Sequence, residues 1–229
     1  MSGHAGPAWL KAADGTSYPP EPWYLGGDFL LSVFRLPVSR LPAAALQAIP
    51  ADHSLVTVAG RATVGVTFVH YTAGGVLAYE ELLVALLVRK GARLRSTIPD
   101  IWVSSQSSMH GGRELWGIPK QLGDFKRDHD GPRICSTMSL AGESVAQLDA
   151  RVGRPLLPGF WQVPQTTAQL LDGQRIVAKN RIVGRLRGLR TQWNISTDGP
   201  LGYLAKAKPL LSVGITDAAV LFGTKVERP

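Results

Sequence analysis

The sequence is poor in the residues that anchor several common chemistries. It carries one cysteine, Cys135, among 229 residues, so no internal disulfide can form. With no CxxC and no Cys/His cluster, no metal site is expected either. Cys135 lies among small and apolar residues and is expected to act as a small buried hydrophobe. Long apolar runs are missing as well. The longest, Leu82 to Val88, falls far short of the roughly 20 residues that cross a bilayer as a helix, so it reads as a core strand and no membrane partner is expected. Met1 to Pro20 has no basic stretch leading into an apolar one, which argues against a secretory signal and leaves a cytoplasmic location as the default. There is no Walker or dinucleotide-binding glycine pattern, hence no nucleotide cofactor. Nor is there a Gly-x-Ser-x-Gly elbow that would make the serines and histidine of Ser104 to His110 a hydrolase triad. No cofactor of any kind is implied.

What the chain does have is an ordinary globular composition, with 45% hydrophobic and 18% charged residues, enough to bury a core and unlike a disordered chain. The formal charge of +8 raises the question of nucleic acid. The arginines fall in two separated groups, Arg89 to Arg95 and Arg181 to Arg190, without interleaved aromatics or a helix-turn-helix pattern, so no nucleic-acid partner is expected. An acidic small molecule or partner suits the charge better.

Along the chain, residues 1–22 are rich in Gly, Pro and Ser and read as a flexible N-terminal arm, followed by a single domain over 23–229. Tyr24 to Leu36 is expected to form a long strand with a bulge or close approach at Gly26-Gly27. Leu41, Ala45, Leu46 and Ile49 give a short amphipathic helix within Pro37 to Ile49. Ala62 to Tyr71 and Val76 to Arg89 form a hairpin over Thr72 to Gly75. Further strands are expected at Ile101 to Ser105, Gln121 to Arg127, Ile134 to Leu140, Ser144 to Val152, Gln174 to Lys179, Ile182 to Gln192 and Leu211 to Gly223, with a connection around Pro158 to Thr167. Many strands with few helices imply a mainly β (α+β) protein, its antiparallel sheet closed or nearly closed into a barrel-like form.

The most informative segment is Gly112 to Phe125, GRELWGIPKQLGDF. Arg113 to Trp116 suits a helical turn, and Pro119 drives Ile118 toward extended backbone. On an extended segment Ile118, Lys120 and Leu122 would share a face, setting one amine between two aliphatic side chains. Burial disfavours the ammonium ion and so favours the nucleophilic free amine. Upstream, strand alternation in Tyr79-Glu80-Glu81 puts Tyr79, Glu81 and Leu83 on one face and Glu80 on the other.

GRELWGIPK resembles the active-site signature of the acetoacetate decarboxylase-like family, in which Gly-Arg-Glu leads into Pro-Lys and the lysine forms a Schiff base. HYTAGGVLAYEE upstream, and Trp193 with Gly199-Pro200-Leu201 downstream, fall at comparable places. The resemblance implies a conical β-barrel, a keto substrate, homo-oligomeric assembly, Lys120 as the Schiff-base lysine and Glu81 as a proton-handling carboxylate. Arg113, Glu114, Tyr79, Trp116, Ile118 and Gln121 are then the residues expected around the substrate, Arg113 and Glu114 with a structural part as well.

The sequence also departs from the family pattern. Gln121 stands where decarboxylases carry a second lysine whose charge helps activate the first. By the same resemblance, Gly27 falls where the family carries an arginine that faces the substrate carboxylate, and Gly65 where it carries a second glutamate. These changes turn the expectation from acetoacetate decarboxylation toward aldol, dehydration or cyclisation chemistry on a larger keto compound. Plain decarboxylation, a non-covalent cyclase and a non-catalytic binding relative remain as alternatives.

Overall fold

The computed structural model describes residues 8–228. Its elements follow the chain as a hairpin of β1 (Leu10–Lys11) and β2 (Ser17–Tyr18), then β3 (Trp23–Pro37), α1 (Ala43–Gln47), β4 (Ser54–Leu55), β5 (Thr57–Val58), β6 (Arg61–Thr72), β7 (Tyr79–Lys90) and β8 (Arg93–Val103). After these come α2 (Gln106–Trp116), β9 (Gln121–Leu122), β10 (Asp124–Asp130), β11 (Arg133–Leu140), β12 (Glu143–Pro155), β13 (Trp161–Leu171), β14 (Gln174–Ile195) and β15 (Leu211–Glu227). The protein is mainly β.

The strands β14, β13, β8, β7, β6, β3 and β15 pair in that order, and β15 pairs back onto β14, which closes the ring. All of these neighbours are antiparallel except β13 and β8, which pair in parallel at Thr167 and Ser96, the seam being completed by the Thr97 hydroxyl donating to the Ala168 carbonyl and the Gln169 side chain bonding the Ile98 main chain. Closure removes the exposed edges that an open sheet of this size would present. The 22 residues of β14 reach beyond the ring: its first half pairs with β13, and its second half pairs with β12 and so holds the β10-β11-β12 meander.

This arrangement buries both faces of β3, β6 and β7. Leu30, Phe34, Val64, Phe68, Leu82 and Leu86 point away from the ring's interior and pack with Ile134, Met138 and Leu148 of the meander. Phe29, Val69, Tyr71 and Tyr79 point the other way, into the ring, toward Ile98, Trp116 and Ile215. A strand buried on both sides has no reason to alternate apolar with polar. That is why Leu82 to Val88 reads as a continuous apolar run.

Four expectations are revised. The helix expected within Pro37 to Ile49 is a 3-10 turn, Val38–Arg40, followed by one short helix, α1. The expected connection at Pro158 to Thr167 is largely strand β13, paired along its whole length with β14. The two strands expected between Gln174 and Gln192 are one, bent by register shifts at Lys179/Arg181 and Val183/Arg185. Of the expected N-terminal arm, residues 1–7 lie outside the described residues. The rest is a hairpin that lays the buried Tyr18 side chain on α2, where its hydroxyl donates to Glu114 at 2.7 Å.

Candidate active site

The site forms where α2 closes one side of the ring. Ser105 starts the helix, its hydroxyl accepting from the Ser108 amide at 3.2 Å, the usual way to satisfy an orphan amide at a helix start. Gly117, at φ 63°, ends it in the left-handed region, with the Gly117 and Ile118 amides donating back to the carbonyls of Arg113 and Gly112. Pro119 follows, and the Lys120 amide then donates to the carbonyl of Ile118 at 2.7 Å. The chain therefore doubles into a tight turn before strand pairing begins at Gln121.

That turn corrects the expected flanking of Lys120. Ile118 and Lys120 are buried, whereas Leu122 is 47% exposed on the outside. The stem of Lys120 lies instead along the backbone of α2. A Cβ at Gly112 would come within 2.6 Å of Lys120 Cδ and 2.8 Å of Cε, and one at Gly111 would meet the Trp23 ring at 2.3 Å. Two adjacent glycines inside a helix each cost about 1 kcal/mol relative to alanine. Here they let the lysine and the indole press against the helix backbone.

Lys120 is 4% exposed and Glu81, on β7, is 3% exposed. Lys120 Nζ donates to Glu81 Oε2 at 2.9 Å, to Ser108 Oγ at 2.9 Å and to Tyr79 Oη at 3.2 Å. Three acceptors match the three hydrogens of an ammonium group. Burial, followed by the nearby Glu81 carboxylate, pushes the Tyr79 hydroxyl well above its ordinary value, and the same two causes act on Tyr71. Both phenols are neutral over any working pH range and serve as proton-bearing donors. Tyr79 Oη also lies 3.5 Å from Glu81 Oε2.

The group faces a cavity of about 210 Å³ inside the ring. Trp23, Phe29, Ile98, Trp116, Ile118 and Phe222 supply much of its wall, and Tyr79, Glu81, Leu83 and Ala85 of β7 line it together. Glu80 faces away and pairs with His70 on β6, so His70 packs on the strand pair and does not line the cavity.

Of the residues expected around the substrate, Tyr79, Trp116 and Ile118 line the cavity with Lys120 and Glu81, while Arg113, Glu114 and Gln121 do not. Arg113 is exposed and reaches back to donate its Nε hydrogen to the Lys120 carbonyl at 2.6 Å, pinning the turn from outside. Glu114, also exposed, takes the Tyr18 hydroxyl, whose own pKa is pushed up to about 12 by burial and then by Glu114. Gln121 is exposed in a surface hollow beside Arg113 and Pro119. A side chain at Gly27 would run into the His70 carbonyl at 2.0 Å, so main chain fills that space and the cavity gains nothing there. Gly65 does not line it either, although a Cβ there would touch Leu31, which does. Ser108 was not foreseen. Its signal lay in helical spacing, four residues ahead of Gly112, within a helix whose first half the sequence disguises with Ser and Gly.

Ring, closing helix and buried amine-carboxylate pair together define a barrel whose internal cavity is lined by Lys120 and Glu81. The family model described as acetoacetate decarboxylase (ADC) matches residues 13–180, and the chain belongs to that family. Among solved structures, it is similar to acetoacetate decarboxylase from Legionella pneumophila subsp. pneumophila str. Philadelphia 1, with 16% identity and TM-score 0.67, over 100% of this chain and 93% of that one. It is also similar to the enduracididine biosynthesis enzyme MppR complexed with the condensation product of pyruvate and imidazole 4-carboxaldehyde, with 18% identity and TM-score 0.65, over 99% and 98% of the two chains. A third relative is an acetoacetate decarboxylase-like enzyme from Sphingomonas wittichii RW1, at 16% identity and TM-score 0.67, over 98% and 100%. At these identities the likeness establishes a shared fold. A search of curated proteins gave no match.

Proposed function

We propose that this protein is a lysine-dependent lyase in which Lys120 condenses with the carbonyl of a keto compound and uses the resulting iminium for aldol and dehydration chemistry. The observation that carries the proposal is the placement of Lys120 Nζ, buried in an apolar chamber within 3.2 Å of Glu81, Ser108 and Tyr79. A surface lysine has no need of three buried partners, and a buried charge without a task is costly to keep.

The chemistry follows from those partners. Glu81 takes a proton from the ammonium of Lys120, and the free amine adds to the carbonyl carbon to give a carbinolamine. Glu81, now protonated, returns that proton to the carbinolamine hydroxyl, which leaves as water as the C=N bond forms. Tyr79 and Ser108 hold the oxygen by hydrogen bonds during these steps. The iminium withdraws electrons from the adjacent carbon, whose proton passes to Glu81 and leaves an enamine. The enamine carbon bonds to an aldehyde carbon as the aldehyde oxygen takes the proton from Glu81. Glu81 then removes the remaining α-proton and returns it to that hydroxyl, which leaves as water, and a second water hydrolyses the C=N bond to release the unsaturated ketone and regenerate Lys120. That MppR was solved with a pyruvate condensation product supports condensation as a reaction within reach of this fold.

Decarboxylation of acetoacetate uses the same iminium and is the second reading, favoured by the family's name. It is placed second because no further lysine or arginine lines the chamber among the described residues. The experiment that tests the shared Lys120 step follows deuterium uptake at the α-carbon of 4-methylpentan-2-one in D₂O. Exchange is expected with the parent protein and not with Lys120→Ala; equal exchange by the two proteins would remove Lys120 from the chemistry.

A further inference from the structure

The charge balance of the chamber carries an inference about what can enter it, resting on the reading of Lys120 as the Schiff-base amine. Among the described residues, Lys120 and Glu81 are the wall's only charged groups, and they cancel one another. Tyr71 and Tyr79 also line it but are held neutral. The other polar wall residues, Thr67, Ser96, Gln165 and Asn180, bring no charge. Part of their capacity is already used: Asn180 donates to the Gln165 side-chain oxygen and accepts from the Gly223 amide.

We infer that the chamber takes neutral, apolar ketones or aldehydes and rejects keto acids. When a neutral ketone condenses, the iminium carries one positive charge and Glu81 one negative charge, so the closed site is neutral. A keto acid adds its carboxylate to this sum and leaves one negative charge uncompensated within an apolar wall, facing Glu81 and without an arginine to receive it. Uncompensated buried charge is among the strongest penalties a site can impose. Size narrows the class further. A dry cavity of about 150 Å³ accommodates benzene, so the 210 Å³ here suits a compound of roughly eight to ten heavy atoms, with a branched or aromatic group reaching Ile98 and Phe222. A three-carbon ketone would leave most of that wall without contacts.

The test uses a matched pair with equal numbers of heavy atoms, 4-methyl-2-oxopentanoate and 2,5-dimethylhexan-3-one, in which an isopropyl group replaces the carboxylate. Calorimetric titration of the purified protein at pH 7.5 measures binding, and borohydride reduction with 4-methylpentan-2-one measures adduct formation separately. The neutral ketone is expected to bind about 100-fold or more tightly than the keto acid, the scale set by an unpaired buried charge. Equal or tighter binding of the keto acid would overturn the inference while leaving the Schiff-base reading intact. Failure of both compounds to bind would overturn it too. Selective binding of the ketone without any reducible adduct would uphold the substrate class and remove the Schiff base instead.

Discussion

Gly112→Ala separates the geometry of the amine from the stability of the fold. The new Cβ would lie 2.6 Å from Lys120 Cδ and 2.8 Å from Cε, whereas carbon atoms in contact settle at about 3.5–4.0 Å. The lysine stem must therefore retreat by roughly 1 Å. Nζ cannot follow that shift and still reach both Glu81 and Ser108, each at 2.9 Å. A misplacement of this size costs a positioned group about 10²-fold in rate. Stability should change much less: alanine gains about 1 kcal/mol of helix propensity, set against overpacking of about 1–3 kcal/mol. The net loss of up to about 2 kcal/mol corresponds to a fall in Tm of no more than roughly 8 °C for a chain of this size. The assay pairs deuterium exchange into 4-methylpentan-2-one with a thermal melt. An exchange rate equal to the parent's in a folded Gly112→Ala protein would show that the stem does not need the helix backbone, and the account of Lys120 placement would be wrong.

Three further outcomes are expected. Glu81→Gln should slow the same exchange by about 10²- to 10⁴-fold, the usual range for a positioned acid-base group, with near-ultraviolet circular dichroism unchanged; parental activity would reduce Glu81 to a structural partner. Purified protein should release carbon dioxide from acetoacetate poorly or not at all, and rapid release would restore decarboxylation as the first reading. Burial raises the pKa of the Asp100 carboxyl above its ordinary 3.8, against the opposing hydrogen bond from the Tyr203 hydroxyl at 2.7 Å. The folded state thus holds this proton more tightly than the unfolded one, and the parent loses stability as pH rises from 3.8 through the raised folded value. Asp100→Asn keeps an acceptor for Tyr203 and should raise Tm more at pH 7 than at pH 3.5; a gain independent of pH would contradict the assignment.

Much of the fold was legible because β-strands declare themselves by alternation or, when buried on both faces, by continuous apolar runs such as Leu82 to Val88. Strand β13 was not, since Trp161 to Leu171 carries Pro164 and a run of Gln and Thr that resembles a connection. It tolerates them because almost all its main-chain pairing is with β14, its pairing with β8 being limited to Thr167, so proline has few ladder bonds to interrupt. In the site, the shared face of Tyr79 and Glu81 followed from strand periodicity, and Pro119 marked the end of the helical segment. Nothing local revealed that Gly117 and Pro119 together fold a tight turn that sends Leu122 outward. Nor could the sequence announce that Gly111 and Gly112 are where Trp23 and Lys120 press against a helix, because each contact joins residues distant in the chain or across a turn. Arg113, Glu114 and Gln121 were placed at the substrate by proximity to the signature, yet Arg113 and Glu114 lie on the outer face of α2 and Gln121 is exposed at the start of β9.

The central claim, that the Lys120 amine attacks a carbonyl, is tested most directly by peptide mass spectrometry after borohydride reduction of the protein with 4-methylpentan-2-one. The mass of a reduced secondary-amine adduct is expected on the peptide containing Lys120 and on no other lysine, and it should disappear in Lys120→Ala. Recovery of unmodified Lys120 at saturating ketone, or adducts scattered over surface lysines, would contradict the claim.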